Sequence, residues 1–180
     1  MKASLEFTGL SPVSVSTSMW DALLGYYFPY SQRYLVIRGN HLDDNGTPTG
    51  FILRVHRFTG TKGCPQDPPR KWICYVHIKA PMDDPEEVFG LLLQEQTCAI
   101  TEMDEIDSRK FVNGHVGGIQ AVGTKARIYT YQRNEDGKWE HTRRYVVSGR
   151  DRQHEVDIFE DVDAIHDMLV EFKKKAEEQF

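Results

Sequence analysis

The clearest periodicity lies near the end of the chain. Val162, Ile165, Met168, Leu169, Phe172 and Ala176 recur at helical spacing and form one apolar stripe, so an amphipathic helix is predicted there. Asp161 and Asp163 fall in its first turn and Lys173, Lys174 and Lys175 near its end. Both placements favour the helix dipole. The pattern is that of a helix laid on a sheet, with the lysines on a solvated face.

Upstream the period changes to two. The stretch His154–Phe159 reads as a strand, and two longer strands flank the turn Asn134-Glu135-Asp136-Gly137. Asp-Gly favours a two-residue type I′ turn, because both central residues need positive φ. That register sets Glu135 opposite Lys138 and Arg133 opposite Glu140, two pairs of opposite charge. One face of the hairpin then carries Ala126, Ile128, Thr130, Trp139, His141, Arg143, Tyr145 and Val147. The other carries Arg127, Tyr129, Tyr131, Arg133, Lys138 and Glu140 and is expected to face solvent. On the first face a histidine and an arginine interrupt apolar residues, and burying an unpaired charge is costly. That face is expected to border a cavity or to bend out to water.

The first half alternates in the same way. Ala3–Thr8 reads as a short strand. Ser18 to Asp21 resembles a capping box, and Trp20, Leu23, Leu24, Tyr27 and Phe28 follow at helical spacing until Pro29 ends the run. Tyr34–Leu42 and Gly50–Phe58 read as a hairpin around Asn45-Gly46. Thr59–Pro69, rich in glycine and proline, reads as a loop, either a lid or a surface connection. Lys71–Lys79 is apolar on both faces and is expected in the middle of the sheet. Asp84, Pro85 and Glu87 spell a helix start ahead of the apolar Val88, Phe89, Leu91, Leu92 and Leu93. Thr97–Gly123 is hard to parse; Cys98-Ala99-Ile100 suggests a strand, and the glycines at 114, 117, 118 and 123 suggest a turn between strands.

These elements predict an α+β fold over residues 1–180 as a single domain. The expected architecture is a mostly antiparallel curved sheet packed by two or three helices, with a long C-terminal helix. Residues 3–96 and 97–180 share a similar order of elements, ending in strand and helix, which admits pseudo-duplicated halves with helices on one face. No residue pattern repeats between them. A PH-like barrel that ends in a helix is the competing architecture.

Composition narrows the function classes. A net charge of −5 argues against general nucleic-acid binding, which draws on a basic surface. No apolar run approaches the ~20 residues of a membrane span, and Met1 to Glu6 lacks the apolar core of a secretory signal. Cys64, Cys74 and Cys98 are odd in number and widely spaced, so neither a disulfide framework nor a zinc knuckle is implied. A reducing, cytoplasmic setting is expected.

Three of the seven histidines lie well inside predicted strands: His56, His77 and His141. Histidine suits proton transfer near neutrality. If those faces line one concavity, it holds imidazoles, phenols and guanidinium groups among aromatics, as an acid–base pocket does. The candidate catalytic residues are His141 and His77 as acid or base, with Tyr145 beside Arg143 to orient a carbonyl or enolate. The candidate substrate-binding residues are Arg143, Trp139, His56, Arg54 and Tyr75. A three-histidine metal site is conceivable from the same residues, but no HxH or HxxxH spacing supports it. No metal or other cofactor is therefore assigned. No strand carboxylate is an evident partner for a histidine, and Gly-x-Ser-x-Gly is absent. Gly114 to Gly118 resembles a phosphate cradle only superficially, since it lacks the lysine and following helix of a P-loop.

Two functional readings follow. In the first, the domain binds a hydrophobic small molecule and catalyses proton transfer of the isomerase, dehydratase or cyclase type. In the second, it is a non-catalytic interaction module, binding a protein partner or forming a homodimer through its sheet edge or the aromatic segment Tyr26–Tyr34. Neither involves a membrane or nucleic acid.

Overall fold

The computed structural model describes residues 12–42, 45–58, 70–80, 84–107, 111, 114–143 and 155–178. The expected strand at Ala3–Thr8 and the loop Thr59–Pro69 lie outside these residues, as does Tyr145. The chain runs α1 (Pro12–Tyr27), a short 3₁₀ turn, then β1 (Tyr34–Leu42), β2 (Pro48–Phe58) and β3 (Arg70–Lys79). Helix α2 (Pro85–Asp107) leads to β4 (His115–Val122), β5 (Lys125–Arg133) and β6 (Trp139–Arg143). The two-residue β7 (Val156–Asp157) and α3 (Val162–Glu177) complete it.

Strands β1 to β6 lie side by side in chain order, and β7 pairs with the start of β5. Every neighbouring pair is antiparallel except β3 and β4, which are parallel. A parallel pair needs a crossover, and α2 is that crossover. The sheet is thus two antiparallel meanders joined at one parallel seam, which bears out the mostly antiparallel α+β fold. Among the described residues β1 and β6 are each paired on one side only, so the sheet is open rather than a closed barrel.

The helices take both faces. Trp20 and Leu24 of α1, Phe28 just after it, and Ile165, Leu169 and Phe172 of α3 share a core with Leu53, Val55, Val76 and Ile119. On the opposite face Ile100 of α2 packs with Trp72, Tyr75, Tyr129, Tyr131 and Trp139. A sheet with helices on one face only is therefore not what forms. The crossover had to cover one face, and α1 with α3 fill the other. No helix among the described residues is long and apolar enough to cross a membrane.

The capping box expected at Ser18 falls inside α1, which begins at Pro12, and the strand expected at His154–Phe159 is only Val156–Asp157 among the described residues. Three further expectations shift for local reasons. First, α2 absorbs Cys98-Ala99-Ile100, which is helix and not strand. Its buried positions Leu92, Gln96 and Ile100 continue at helical spacing, with the polar Gln96 masking the stripe. The start of the helix is as expected: Asp84 Oδ1 accepts from the Glu86 and Glu87 amides at 3.1 and 3.4 Å. Second, Gly114 and Gly123 do sit in turns, with φ +68° and +62°, but Gly117 and Gly118 lie within β4, whose burial is unbroken from Val116 to Val122. Third, the hairpin register slips by one residue. Arg133 pairs with Trp139 and Tyr131 with His141. The Gly137 amide donates to Asn134 O at 3.0 Å, and Gly137 has φ +80° while Asp136 is not left-handed. This is a type I turn followed by a left-handed glycine, which suits Asp-Gly as well as type I′ does. A one-residue slip exchanges the faces of a strand. Here it places positions Trp139, His141 and Arg143 on the face of Tyr129 and Tyr131 and not on that of Ile128. Tyr129, Tyr131 and Arg127, expected in solvent, are buried because α2 covers their face. In α3 the expected stripe holds except at Val162, which is exposed.

Candidate functional site

The slipped register brings most of the candidate residues to one face. Arg54 pairs with Tyr75, Tyr75 with Gly118, Gly118 with Tyr129 and Tyr129 with Arg143, a single row across β2 to β6. His77 and His56 stand on the same face of β3 and β2, and Trp139 and His141 on that of β6. Helix α2 lies over the middle of this face, so the candidates divide between its two flanks.

Under the middle of α2 the contacts are structural. Gln96 is fully buried and donates from Nε2 to Tyr75 O at 3.2 Å and Ile119 O at 2.9 Å. Its Oε1 accepts from the Tyr131 hydroxyl at 2.9 Å. Burial pushes the Tyr75 phenol up to about 12, against the opposing pull of Arg54. Burial raises the Tyr131 phenol as well. Both phenols are therefore proton-bearing donors at neutral pH. His56 is buried with its ring edge-on to Trp72 at 5.5 Å, within an aromatic run through Phe111 to Trp139.

On the flank toward β6, an open groove of about 620 Å³ runs between helix and strand. Leu93, Gln94 and Thr97 of α2 line one side and Trp139 and His141 the other. His141 is exposed, with its ring 5.8 Å from that of Tyr129 and 6.1 Å from that of Tyr131. The backbone of Arg143 continues β6 beyond it.

On the flank toward β1, His41, His77 and Glu95 converge. His41 Nε2 lies 3.2 Å and His77 Nδ1 3.6 Å from Glu95 Oε2, and the two rings are 4.4 Å apart between centroids. Lys79 Nζ is 3.7 Å from the other carboxylate oxygen. Burial, then His41 and the Lys79 ammonium, hold His77 down at about 3, so it is a neutral imidazole at physiological pH. Burial lowers His41 too, with the Glu95 carboxylate pulling the other way. Gly50 explains how residues two strands apart can meet. It sits between His41 on β1 and Lys79 on β3 in the same cross-strand row, and has no side chain to stand in the way.

His77 and His141 do not meet. Three strand spacings separate β3 from β6, about 14 Å across the sheet. The sequence singled out neither His41 nor Glu95. His41 lies at the end of its strand, although its position opposite Gly50 follows from the Asn45-Gly46 hairpin. Glu95 carries no local signal, because only the packing of α2 aims it at the sheet.

The chain thus defines an α+β domain with a groove on one flank of α2 and a cluster of two histidines and a glutamate on the other. Comparison with protein-family models, curated proteins and solved structures finds no match.

Proposed function

We propose that this chain is a small-molecule-binding domain whose ligand lies in the groove between α2 and β6. The observation that carries this reading is the groove itself. Its volume of about 620 Å³ falls within the range of small-molecule sites. Its walls combine the apolar Leu93 and Trp139 with the polar Gln94, Thr97 and His141. Such a groove suits a largely apolar ligand with one or two oxygens. His141 is the group placed to take or return a proton, which makes proton-transfer chemistry on that ligand the reaction proposed. Tyr145, the candidate for orienting a carbonyl beside Arg143, lies outside the described residues.

A thermal-shift screen against a metabolite library tests this, with His141→Ala in parallel. A native-state ligand raises the midpoint as its concentration exceeds its dissociation constant. A hit that weakens in His141→Ala supports the groove. A folded protein with no hits, or hits indifferent to His141, sinks the reading.

The interaction module remains the second reading, because Tyr26 and Tyr30 are 78% and 77% exposed in the segment proposed for it. Light scattering with size exclusion decides the self-association form of it. Dimers lost in Tyr26→Ser/Tyr30→Ser support that form, and a monomer at all concentrations rejects it.

A further inference from the structure

The cluster on the β1 flank stands apart from the groove. Around α2, Gln96 points at the sheet and Glu95 and Thr97 fall to either side of it, so the cluster and the groove lie on opposite flanks. One donor atom from each of His41, His77 and Glu95 lies within 4.8 Å of the others. We propose that these three residues bind one zinc-like divalent transition-metal ion, with a further position open to water or an oxygen ligand.

The spacing fits such an ion. Zinc holds nitrogen and oxygen ligands at about 2.0–2.2 Å, so the edge of its tetrahedron is roughly 3.4 Å. Two of the three donor separations, 3.2 and 3.6 Å, lie on either side of that length, and the third is within 4.8 Å. The donor set fits as well. Two imidazoles and a carboxylate suit zinc or ferrous iron, whereas calcium and magnesium take oxygen ligands.

His77 supplies the independent sign of a ligand. Its side chain is 2% exposed, yet neither ring nitrogen has a hydrogen-bond partner. A buried imidazole without a partner is costly, and a metal bond to Nδ1 removes the part of that cost that falls on Nδ1. Glu95 Oε2, toward which both rings turn, also lacks a hydrogen bond.

The surroundings support the ligands. His41 Nδ1 and Thr49 Oγ1 are 2.7 Å apart, which orients the ring and leaves Nε2 facing Glu95. Metal-bound histidines are commonly held this way by their second nitrogen. Lys79 engages Glu95 Oε1 and leaves Oε2 to the imidazoles. Its ammonium also offsets part of the carboxylate charge, which limits affinity for the ion. The cluster is reached from solvent through Glu95 and His41, which are 37% and 17% exposed.

The test is a calorimetric titration of the full chain, stripped with chelator, with zinc chloride. Cobalt(II) serves as an absorbing substitute. The expected result is one zinc per chain, a midpoint that rises with excess zinc, and a cobalt spectrum of low coordination number. Glu95→Gln preserves shape and removes the charge, and His41→Asn removes a ligand. Each is expected to weaken zinc binding on the order of tenfold or more, while His141→Ala, on the far flank, binds as the parent does. The proposal is overturned if the folded parent takes up no zinc. It is equally overturned if Glu95→Gln and His41→Asn both bind unchanged, which would put the ion elsewhere on the surface. Because the readout is metal and not metabolite, its outcome is independent of the groove.

Discussion

Gln96 is the polar residue that α2 sets deepest against the sheet, and it holds both strands of the parallel seam. Its amide meets one carbonyl of β3 and one of β4, while its oxygen receives Tyr131 from β5. Replacing it by leucine keeps the volume but takes away the acceptor of the Tyr131 hydroxyl proton. Gln96→Leu is expected to cost about 2–3 kcal/mol in urea unfolding. Adding Tyr131→Phe should restore part of that loss, since that donor is then gone. Tyr75 gives a pH signature. Its folded pKa of about 12 exceeds the ordinary 10.0, so above pH 10 the unfolded chain sheds the proton more readily than the folded one. The stability it contributes is full below pH 10 and lost between pH 10 and 12, to a limit of about 2–3 kcal/mol. Tyr75→Phe should therefore lose less stability than the parent across that window, by urea midpoint.

At the scale of elements, β1 to β3, α3 and the start of α2 were legible because each declares itself within a few residues. Alternation, a proline-led cap and a 3.6-residue stripe are local facts. The β5–β6 hairpin was legible as a hairpin but not in register, because Asp-Gly satisfies two turns that differ by one residue. The two turns respond differently to substitution. Gly137 has φ +80°, so Gly137→Ala is expected to cost about 1–2 kcal/mol. Asp136→Gly is expected to bring no gain, whereas a type I′ turn would be stabilised by it; thermal midpoints of the two variants separate the cases. Strand β4 was missed because its glycines imitate a loop. In the structure they are close approaches. A Cβ at Gly117 would come within 2.5 Å of Phe172, and one at Gly118 within 2.3 Å of Tyr131. Gly117→Ala is expected to destabilise by about 1–3 kcal/mol, and Phe172→Leu in the same chain to recover part of it.

At the scale of the molecule, the parallel seam orders the whole. Strands β3 and β4 are flanked on both sides, covered on both faces and joined through α2, while β1 is an edge. Hydrogen exchange should therefore be slowest in β3 and β4 and fastest in the edge strands β1 and β6, and uniform protection across the sheet would contradict this layering. The groove and the cluster also belong to this scale. His77, His141, Arg54 and Tyr75 were readable one by one as polar residues in apolar strands. Which of them share a site was not, because α2 decides that and its path over the sheet is a long-range fact.

The paired glycines of β4 have one more effect. They are adjacent and point to opposite faces, one under Phe172 of α3 and the other under Tyr131 and Gln96. At this spot the sheet has no side-chain thickness. A single strand of backbone is the whole partition between the two halves of the interior. The ring of Phe172 on one side and that of Tyr131 on the other rest on the same short run of backbone, so the two cores that the sheet divides come nearest to each other here.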